Sequence, residues 1–509
     1  VNKRPLILPF DPAGIVLDRQ RGLSQQLYQA LRARVLDGRL SSGTRLPASR
    51  DLAAILALSR NSVVRAYDQL YAEGYIESRV GDGTYVTQLD KLSTQLSTGL
   101  SLGLSTGLST FSSEKTEDLS SCERTSEPLE RLKSNHLPPP RSGAPRAFRV
   151  GIPAFDLFPF DVWAKLQAGF WRNPDPAQLG YGEPAGELQL RELIATYLRR
   201  SRGLSCTAEQ IVITSGAQQA ISLCAQLLLQ PGEGVAVENP GYRAAGHTFA
   251  VAGGRVMGVP VDDEGMDCQR LMQLADCRLA YVTPAHQYPT GVTMSLARRL
   301  ALLAWAERSD GWIIEDDYDG EYRYNGAPLA PLAALDRQGR VLYIGTFGKI
   351  AFPALRLGYL VLPGRLVQAF SQGRALAMRH SEVSSQCVMA EFMAQGHFQR
   401  HIRRMRRAAL SRRNVLKAGW PVDVPGLGAM PEVAAGLHVK VDVDNFAREQ
   451  ALVAKAEAVG VEVNPLSSYW LDDSEVPVDK RAGLVLGFAA VPEGDIANAL
   501  MRLRSAWRK

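Results

Sequence analysis

Between Lys91 and Arg146 the chain loses the residues that could build a core. It runs through near-repeats, Leu-Ser-Thr-Gln-Leu-Ser-Thr-Gly-Leu-Ser-Leu-Gly-Leu-Ser-Thr-Gly-Leu-Ser-Thr, then a charged stretch, and ends with Pro138-Pro139-Pro140. Without aromatic and branched bulk, burial cannot offset the entropy of folding, and the spaced glycines oppose a helix in the leucine-containing part. The segment reads as a flexible linker over 91–146. A chain cut there is two folds with two jobs: a small unit over 1–90 and a large one over 147–509. No run of about 18 apolar residues suggests a membrane span. The opening stretch, broken by Pro5 and Pro9, is too short in apolar residues for a signal peptide, so a cytoplasmic protein is expected. Cys122, Cys206, Cys224, Cys268, Cys277 and Cys387 show no CxxC or metal-ligand spacing and are read as free thiols, with no metal site expected. The net charge of +6 tolerates a nucleic-acid partner without requiring one. Where the charge sits has to decide.

In the small unit, Leu23, Leu27, Leu31 and Val35 form one helical stripe in a segment from Leu23 to Leu40 that ends at Gly38. Pro47-Ala48-Ser49-Arg50 opens a second short helix carrying Leu52, Ala53 and Leu56. Ser59 reads as the N-cap of a third, through Val63, Tyr67 and Leu70 to about Gly74. Tyr75–Arg79 and Thr84–Thr87 then alternate like strands around Gly81-Asp82-Gly83. Three helices followed by a glycine-tipped hairpin make a winged helix-turn-helix. Arg45, Ser49 and Arg50 stand at the start of its second helix, and Ser59, Arg60, Asn61, Ser62 and Arg65 crowd the first turns of its third. A recognition helix meets base edges at its N-terminus, where helix N–H groups and short hydroxyls also meet phosphates. Arg60 has the donors to read a guanine; Asn61 can pair with an adenine or serve as a positioning contact. Gly83 and Thr84 at the wing tip can approach the DNA backbone. A solvated charged face on an interaction module would share much of this pattern.

The stretch Leu36–Ala53, then Ser-Arg-Asn-Ser-Val-Val-Arg-Ala-Tyr-Asp-Gln-Leu from Ser59, then Glu-Gly-Tyr-Ile-Glu-Ser-Arg-Val-Gly-Asp-Gly-Thr-Tyr-Val from Glu73, closely resembles the DNA-binding domain of GntR-type regulators. The resemblance covers nearly all of residues 23–87 and implies double-stranded operator DNA as partner.

From Phe148 onward, short apolar runs alternate with helix-forming segments, which predicts an α/β body on a mostly parallel sheet. The strand candidates are 211–214, 234–237, 279–282, 312–314 and 341–344. Reactive groups gather where these strands end. Thr214-Ser215-Gly216-Ala217-Gln218 leads into a helix and can cradle an anion. Glu315-Asp316-Asp317-Tyr318 puts carboxylates and a phenol at another strand end, and Thr346-Phe347-Gly348-Lys349 a lysine at a further one, with Arg356 seven residues on. Singly these fit a metal site, capping or an exposed lysine. Together they supply what pyridoxal 5'-phosphate (PLP) needs: a Schiff-base amine, an anion cradle, a carboxylate for the ring nitrogen, a donor for the ring hydroxyl and an aromatic face. Lys349 is the amine. Ser215, Gly216, Ala217 and Gln218 with Thr346 and Arg356 form the cradle, and Asp316, Tyr318 and Tyr242 supply the rest.

The motifs Tyr181–Gly186, Glu238–Tyr242, Thr283–Gly291, Glu315–Tyr318 and Thr346–Lys349 resemble fold-type I aminotransferases over roughly 148–505. That resemblance implies a homodimer in which Tyr181 reaches the phosphate in the neighbouring subunit. It selects Asp316 over Asp317 for the ring nitrogen. The whole arrangement is similar to the MocR subfamily of regulators, with PLP or an amine or amino-acid effector read through Lys349 and a head-to-tail, domain-swapped dimer as one form of the pair. There are departures. Tyr288 stands where many aminotransferases carry asparagine at the ring hydroxyl, and Gly348 where a serine commonly precedes the lysine. No arginine lies at the carboxylate-binding position near Gly483–Gly487, and Arg481 is out of register. Efficient catalysis is therefore not expected, with a working aminotransferase that carries a DNA-binding module as the alternative. The basic run Arg400, Arg403, Arg404, Arg406, Arg407, Arg412 and Arg413 is read as a solvated or salt-bridged helix, and His286 as a residue lining or supporting the site.

Overall fold

The computed structural model describes residues 14–19, 22–79, 82–87, 126–137, 139, 141–324, 329–471, 474 and 476–508. Gly81, residues 88–90, the 91–125 part of the expected linker with Cys122, and Pro138 and Pro140 lie outside the described residues. The chain divides into two compact units, Val1–Asp118 and Leu119–Lys509.

The small unit holds helices α1 (Leu23–Leu36), α2 (Ser49–Ile55) and α3 (Arg60–Ala72) and strands β1 (Arg45–Leu46), β2 (Ile76–Arg79) and β3 (Gly83–Val86). The stripe from α1 is buried with Leu52, Val63, Leu70, Ile76 and Val86 in one core. Ser59 caps α3 by accepting the Ser62 N–H at 3.1 Å. The buried Tyr67 hydroxyl donates to the Pro47 carbonyl at 2.9 Å and ties the entry of α2 to α3. The turn between these two helices carries Ala57 at φ 50°, a left-handed position held without glycine. Strand β1 escaped the sequence reading because two residues show no alternation. It pairs with β3 as Arg45↔Tyr85 and Leu46↔Thr84, giving the order β1-β3-β2.

The large unit is built on eight strands: β4 (Ile211–Thr214), β5 (Gly234–Asn239), β6 (Arg255–Asp262), β7 (Gly265–Met266), β8 (Cys277–Val282), β9 (Trp312–Asp317), β10 (Val341–Thr346) and β11 (Gly358–Val361). Their order is β4-β11-β10-β9-β8-β5-β6-β7. The five expected strands are all present. The sheet is mixed: β11 runs antiparallel between β10 and β4, and β7 closes the far edge antiparallel to β6. Alternation sends successive side chains to opposite faces. Ile211, Ile213, Tyr343 and Tyr359 enter one helix-covered core, while Val212, Leu342, Ile344 and Leu360 enter the other. A second sheet, β12 (His438–Asp442), β13 (Asn464–Pro465) and β14 (Gly483–Gly487), packs Val441, Leu484 and Leu486 with Leu452, Ile496 and Leu503 into a core of its own.

Within the span expected to be linker, Glu127–Ser134 is a helix seated on the large unit. Arg131 Nε donates to the Val251 carbonyl at 3.0 Å, and Asn135 Oδ1 lies 3.2 Å from His247 Nδ1. Its charges are what hold it there, so a reading based on apolar bulk passed over it. The arginine run lies on the helix His397–Gly419. Arg404, Arg406 and Arg413 bond the carbonyls of Leu157, Glu321 and Val433, and the buried Arg412 pairs with Asp156 at 2.5 Å. The five described cysteines are free. Among the described residues no helix is long and apolar enough to cross a membrane.

Candidate functional site

The sheet ends converge on a cavity of about 240 Å³ in the large unit. Gly216, Ala217 and Gln218 line it from the start of the helix Ala217–Leu228, Tyr242 from the end of the loop after β5, Asp316 from the end of β9 with Tyr318 just beyond it, Thr346 from the end of β10, and Gly348, Lys349 and Arg356 from the loop after it. Tyr281, Thr283, Tyr288, Val150, Gly151, Pro353 and Leu357 complete the lining.

Asp316 and Asp317 part company because neighbours on a strand face opposite ways. Asp317 accepts the Tyr343 hydroxyl at 2.6 Å and pairs with the buried Arg202 at 3.3 Å, away from the cavity. Asp316 faces the cavity; Tyr281 donates to its Oδ2 at 2.7 Å, while Oδ1 is buried with no hydrogen-bond partner. Burial pushes the Asp316 carboxyl up to about 6, against the opposing Tyr281 hydrogen bond. Lys349 is half-buried, and desolvation of its amine draws it below the ordinary lysine value, against the fields of Asp319 and Asp316. Its Nζ donates to the Gly151 carbonyl at 2.8 Å. Gly151 has φ +77°, and a Cβ there would meet Nζ at 3.0 Å. Only glycine allows this approach.

Arg356, at φ 52°, turns its guanidinium toward the helix start: a Cβ on Gly216 would meet it at 3.5 Å. Unpaired N–H groups of a helix start, its macrodipole and a guanidinium together make an anion cradle. Ser215 is absent from the cavity lining, and its backbone N–H is taken by Gln219 Oε1 at 2.7 Å. Gln218 receives the Tyr242 hydroxyl at 3.3 Å and donates to Thr248 at 2.6 Å. Tyr181 is 89% exposed, beside the His380 ring and outside the cavity of its own chain.

Tyr318 is held from behind. Its hydroxyl donates to the His286 carbonyl at 2.9 Å, while His286 Nδ1 lies 3.0 Å from Asp319. His286, Asp319 and His438 form a buried trio, with His438 Nε2 on the Pro289 carbonyl at 3.1 Å and Asp319 also taking the Leu437 N–H. Glu238, pushed up to about 7 by burial, accepts the Thr283 hydroxyl at 2.6 Å, and the Thr283 oxygen accepts the Tyr288 N–H at 3.0 Å. Tyr288 thus rests on a buried carboxylate. The reading of residues alone missed Gly151, Tyr281 and Thr283; alternation along β8 would have put Tyr281 and Thr283 on one face. Arg481 bonds the Val476 and Ser474 carbonyls and does not reach the cavity.

In the small unit, Ser59, Arg60, Asn61 and Arg65 are exposed on the first turns of α3 and Ser62 is half-buried. Arg50 is exposed and Ser49 half-buried at the start of α2. Arg50, Arg60 and Arg65 make no ion pair among the described residues. Arg45 belongs to the wing: a Cβ on Gly83 would come within 2.9 Å of its guanidinium, and Thr84 pairs beside it.

Residues 23–86 match the family model for bacterial regulatory proteins of the gntR family, and residues 148–462 the model for aminotransferase class I and II. The probable rhizopine catabolism regulatory protein MocR of Rhizobium meliloti is 34% identical across 97% of this chain and 96% of its own length. The pyridoxine biosynthesis transcriptional regulator PdxR of Corynebacterium glutamicum is 31% identical across 94% and 95%. Among solved structures, Pyrococcus horikoshii kynurenine aminotransferase in complex with PMP, 28% identical, covers 76% of this chain and 95% of its own with a TM-score of 0.64. The aminotransferase structure covers about three quarters of the chain, whereas the regulators cover nearly all of it, and both family models find their match in the one chain; the chain belongs to the MocR subfamily of GntR-type transcriptional regulators.

Proposed function

We propose that this chain is a cytoplasmic transcription regulator, acting at the bacterial nucleoid through operator binding, that holds PLP in the cavity of its large unit. The occupancy of that cavity sets how the small unit binds operator DNA. The observation that carries the cofactor is the buried, unpartnered Asp316 Oδ1 in a cavity that Lys349 also lines. A naked carboxylate oxygen in such a place is costly unless something cationic meets it, and a protonated ring nitrogen would. The cradle of Gly216, Ala217, Gln218 and Arg356 with Thr346 fits a phosphate equally well.

PLP, when bound, supplies an aldehyde for an amine and a ring that withdraws electrons from it. The chain's own groups do the rest. Arg356 and the helix start bind the phosphate, Asp316 keeps a proton on the ring nitrogen, Tyr318, once its O–H turns from the His286 carbonyl, donates at the ring hydroxyl, and Tyr242 covers one face. The Lys349 amine, with its proton affinity lowered by burial, is the attachment point. Tyr288 takes the place of the usual asparagine and closes the wall. Ser215, its backbone N–H engaged by Gln219, has only its hydroxyl to offer the anion.

The site is completed by a second copy of the chain. Tyr181 is 89% exposed next to His380, and Leu376, four residues earlier in the chain than His380, is 90% exposed, as expected of side chains that meet a homodimer partner. The helix Arg243–Val251 gives a route from cavity to linker. It starts at Tyr242 on the cavity wall and carries His247 and Val251, which hold the helix Glu127–Ser134. The alternative of a working aminotransferase is not favoured, since regulators match the chain over its full length. On the DNA side, Arg60 and Asn61 face base edges, Arg50, Arg65, Ser49, Ser59 and Ser62 the phosphates, and Arg45, Gly83 and Thr84 the backbone beside the wing.

The test is spectroscopic. Adding PLP to the purified protein should give the absorbance band of the lysine-bound cofactor. Lys349→Ala should abolish it, and Asp316→Asn should weaken cofactor binding by at least tenfold, about 1.5–3 kcal/mol for a lost hydrogen bond to a charged group. A wild-type protein without the band contradicts the reading.

A further inference from the structure

The ligand that reaches the cavity can be narrowed from the charges in its wall, and this inference rests on the PLP reading above. Among the described lining residues there are two cations, Lys349 and Arg356, and one carboxylate, Asp316. All three are already engaged. Arg356 stands over the helix start, Lys349 is the attachment point, and Asp316 awaits the ring nitrogen. No lining cation remains for a carboxylate on an incoming ligand.

What remains is aromatic. Tyr288 sits at the centre of a cage, with ring centroids 5.9 Å from Tyr242, 5.7 Å from Tyr318, 5.4 Å from Tyr469 and 5.3 Å from His438, all near edge-to-face. Behind the cage lie buried acids. The Tyr318 hydroxyl is held well above its ordinary value first by burial and then by Asp319, with Asp316 and Glu238 adding to the effect. Of these acids Asp319 is not engaged by the ring nitrogen, and its field repels an incoming carboxylate and attracts an ammonium, which π-faces also attract. One further cation acts on this wall: Arg141 lowers the proton affinity of both Tyr288 and Tyr469. It lies outside the lining, however, and faces Glu462 at 3.6 Å, a carboxylate also bound by Arg149 at 2.6 Å.

We infer that the effector is a primary amine without a carboxylate, whose apolar or aromatic body lies against Tyr242 and Tyr288. Matched pairs test this on the full-length, PLP-loaded protein: phenethylamine against phenylalanine, and tyramine against tyrosine, titrated by cofactor absorbance with DNA binding recorded in parallel. The amines should bind at least tenfold tighter than the amino acids. Tyr288→Leu should shrink that ratio severalfold, and Arg141→Ala should leave it unchanged. Amino acids that bind as tightly as their amines overturn the inference, as does a ratio indifferent to Tyr288→Leu or one created by Arg141. An absent cofactor band before any amine is added is a different result: it strikes the PLP reading itself.

Discussion

At the scale of the residue, Asp316 carries the most. Its carboxyl is pushed up to about 6 by burial, against roughly 4 for a free aspartate. Between those values the folded apoprotein binds a proton that the unfolded chain lacks, so this group's contribution to stability falls as pH rises from about 4 to about 6 and is flat above. Cofactor affinity should run the other way. The ring nitrogen needs the ionised carboxylate, so affinity should drop about tenfold per pH unit below about 6 beyond whatever slope Asp316→Asn retains. Cofactor titrations from about pH 5 to 8 on both proteins measure it, and parallel slopes would remove Asp316 from the role. Ala57 makes a separate prediction. A left-handed non-glycine residue costs about 1–2 kcal/mol, so Ala57→Gly should stabilise the small unit by about 1 kcal/mol, after glycine's greater entropy loss, in a denaturant melt.

At the scale of the element, the readable parts were those with a period or a cap. Ser59 declared α3 through its side chain, and Ser59→Ala should cost about 1 kcal/mol of stability in the same melt. The β5, β8, β9 and β10 strands were legible because both faces are buried and the runs are continuously apolar. Strand β6 was not, since its residues are mostly half-exposed, and β11 was hidden by the reversal after Arg356 that makes it antiparallel. In the site, the motif residues announced themselves by type, whereas the engagement of the Ser215 backbone N–H by Gln219 leaves no mark in a sequence. The helix Glu127–Ser134 depends on directed polar contacts rather than on apolar bulk. Arg131→Ala removes the bond to Val251 and the 2.5 Å pair with Glu127. Hydrogen exchange over 127–137 should speed up severalfold, as the loss of about 1 kcal/mol of docking implies. Exchange as slow as wild type would show that other contacts hold the helix.

At the scale of the whole molecule, charge alone is a weak guide. Of the 58 basic residues only 12 fall in residues 1–90, set against 9 acids, so the net +6 is spread over both units. What points to DNA is that Arg50, Arg60 and Arg65 are exposed and, among the described residues, without ion pairs where α2 and α3 begin. Replacing one phosphate-contacting arginine, as in Arg50→Ala, should lower the slope of log affinity against log salt by about 1. The central claim is that cavity chemistry in one unit governs DNA reading by the other, and Lys349 is where the two can be separated. The decisive measurement is the affinity of the full-length protein for a duplex it has selected from a random pool, with and without PLP, for wild type and Lys349→Ala. The account predicts that PLP changes the wild-type affinity at least fivefold and leaves that of Lys349→Ala unchanged; an equal response in both proteins, or none in the wild type, would contradict it.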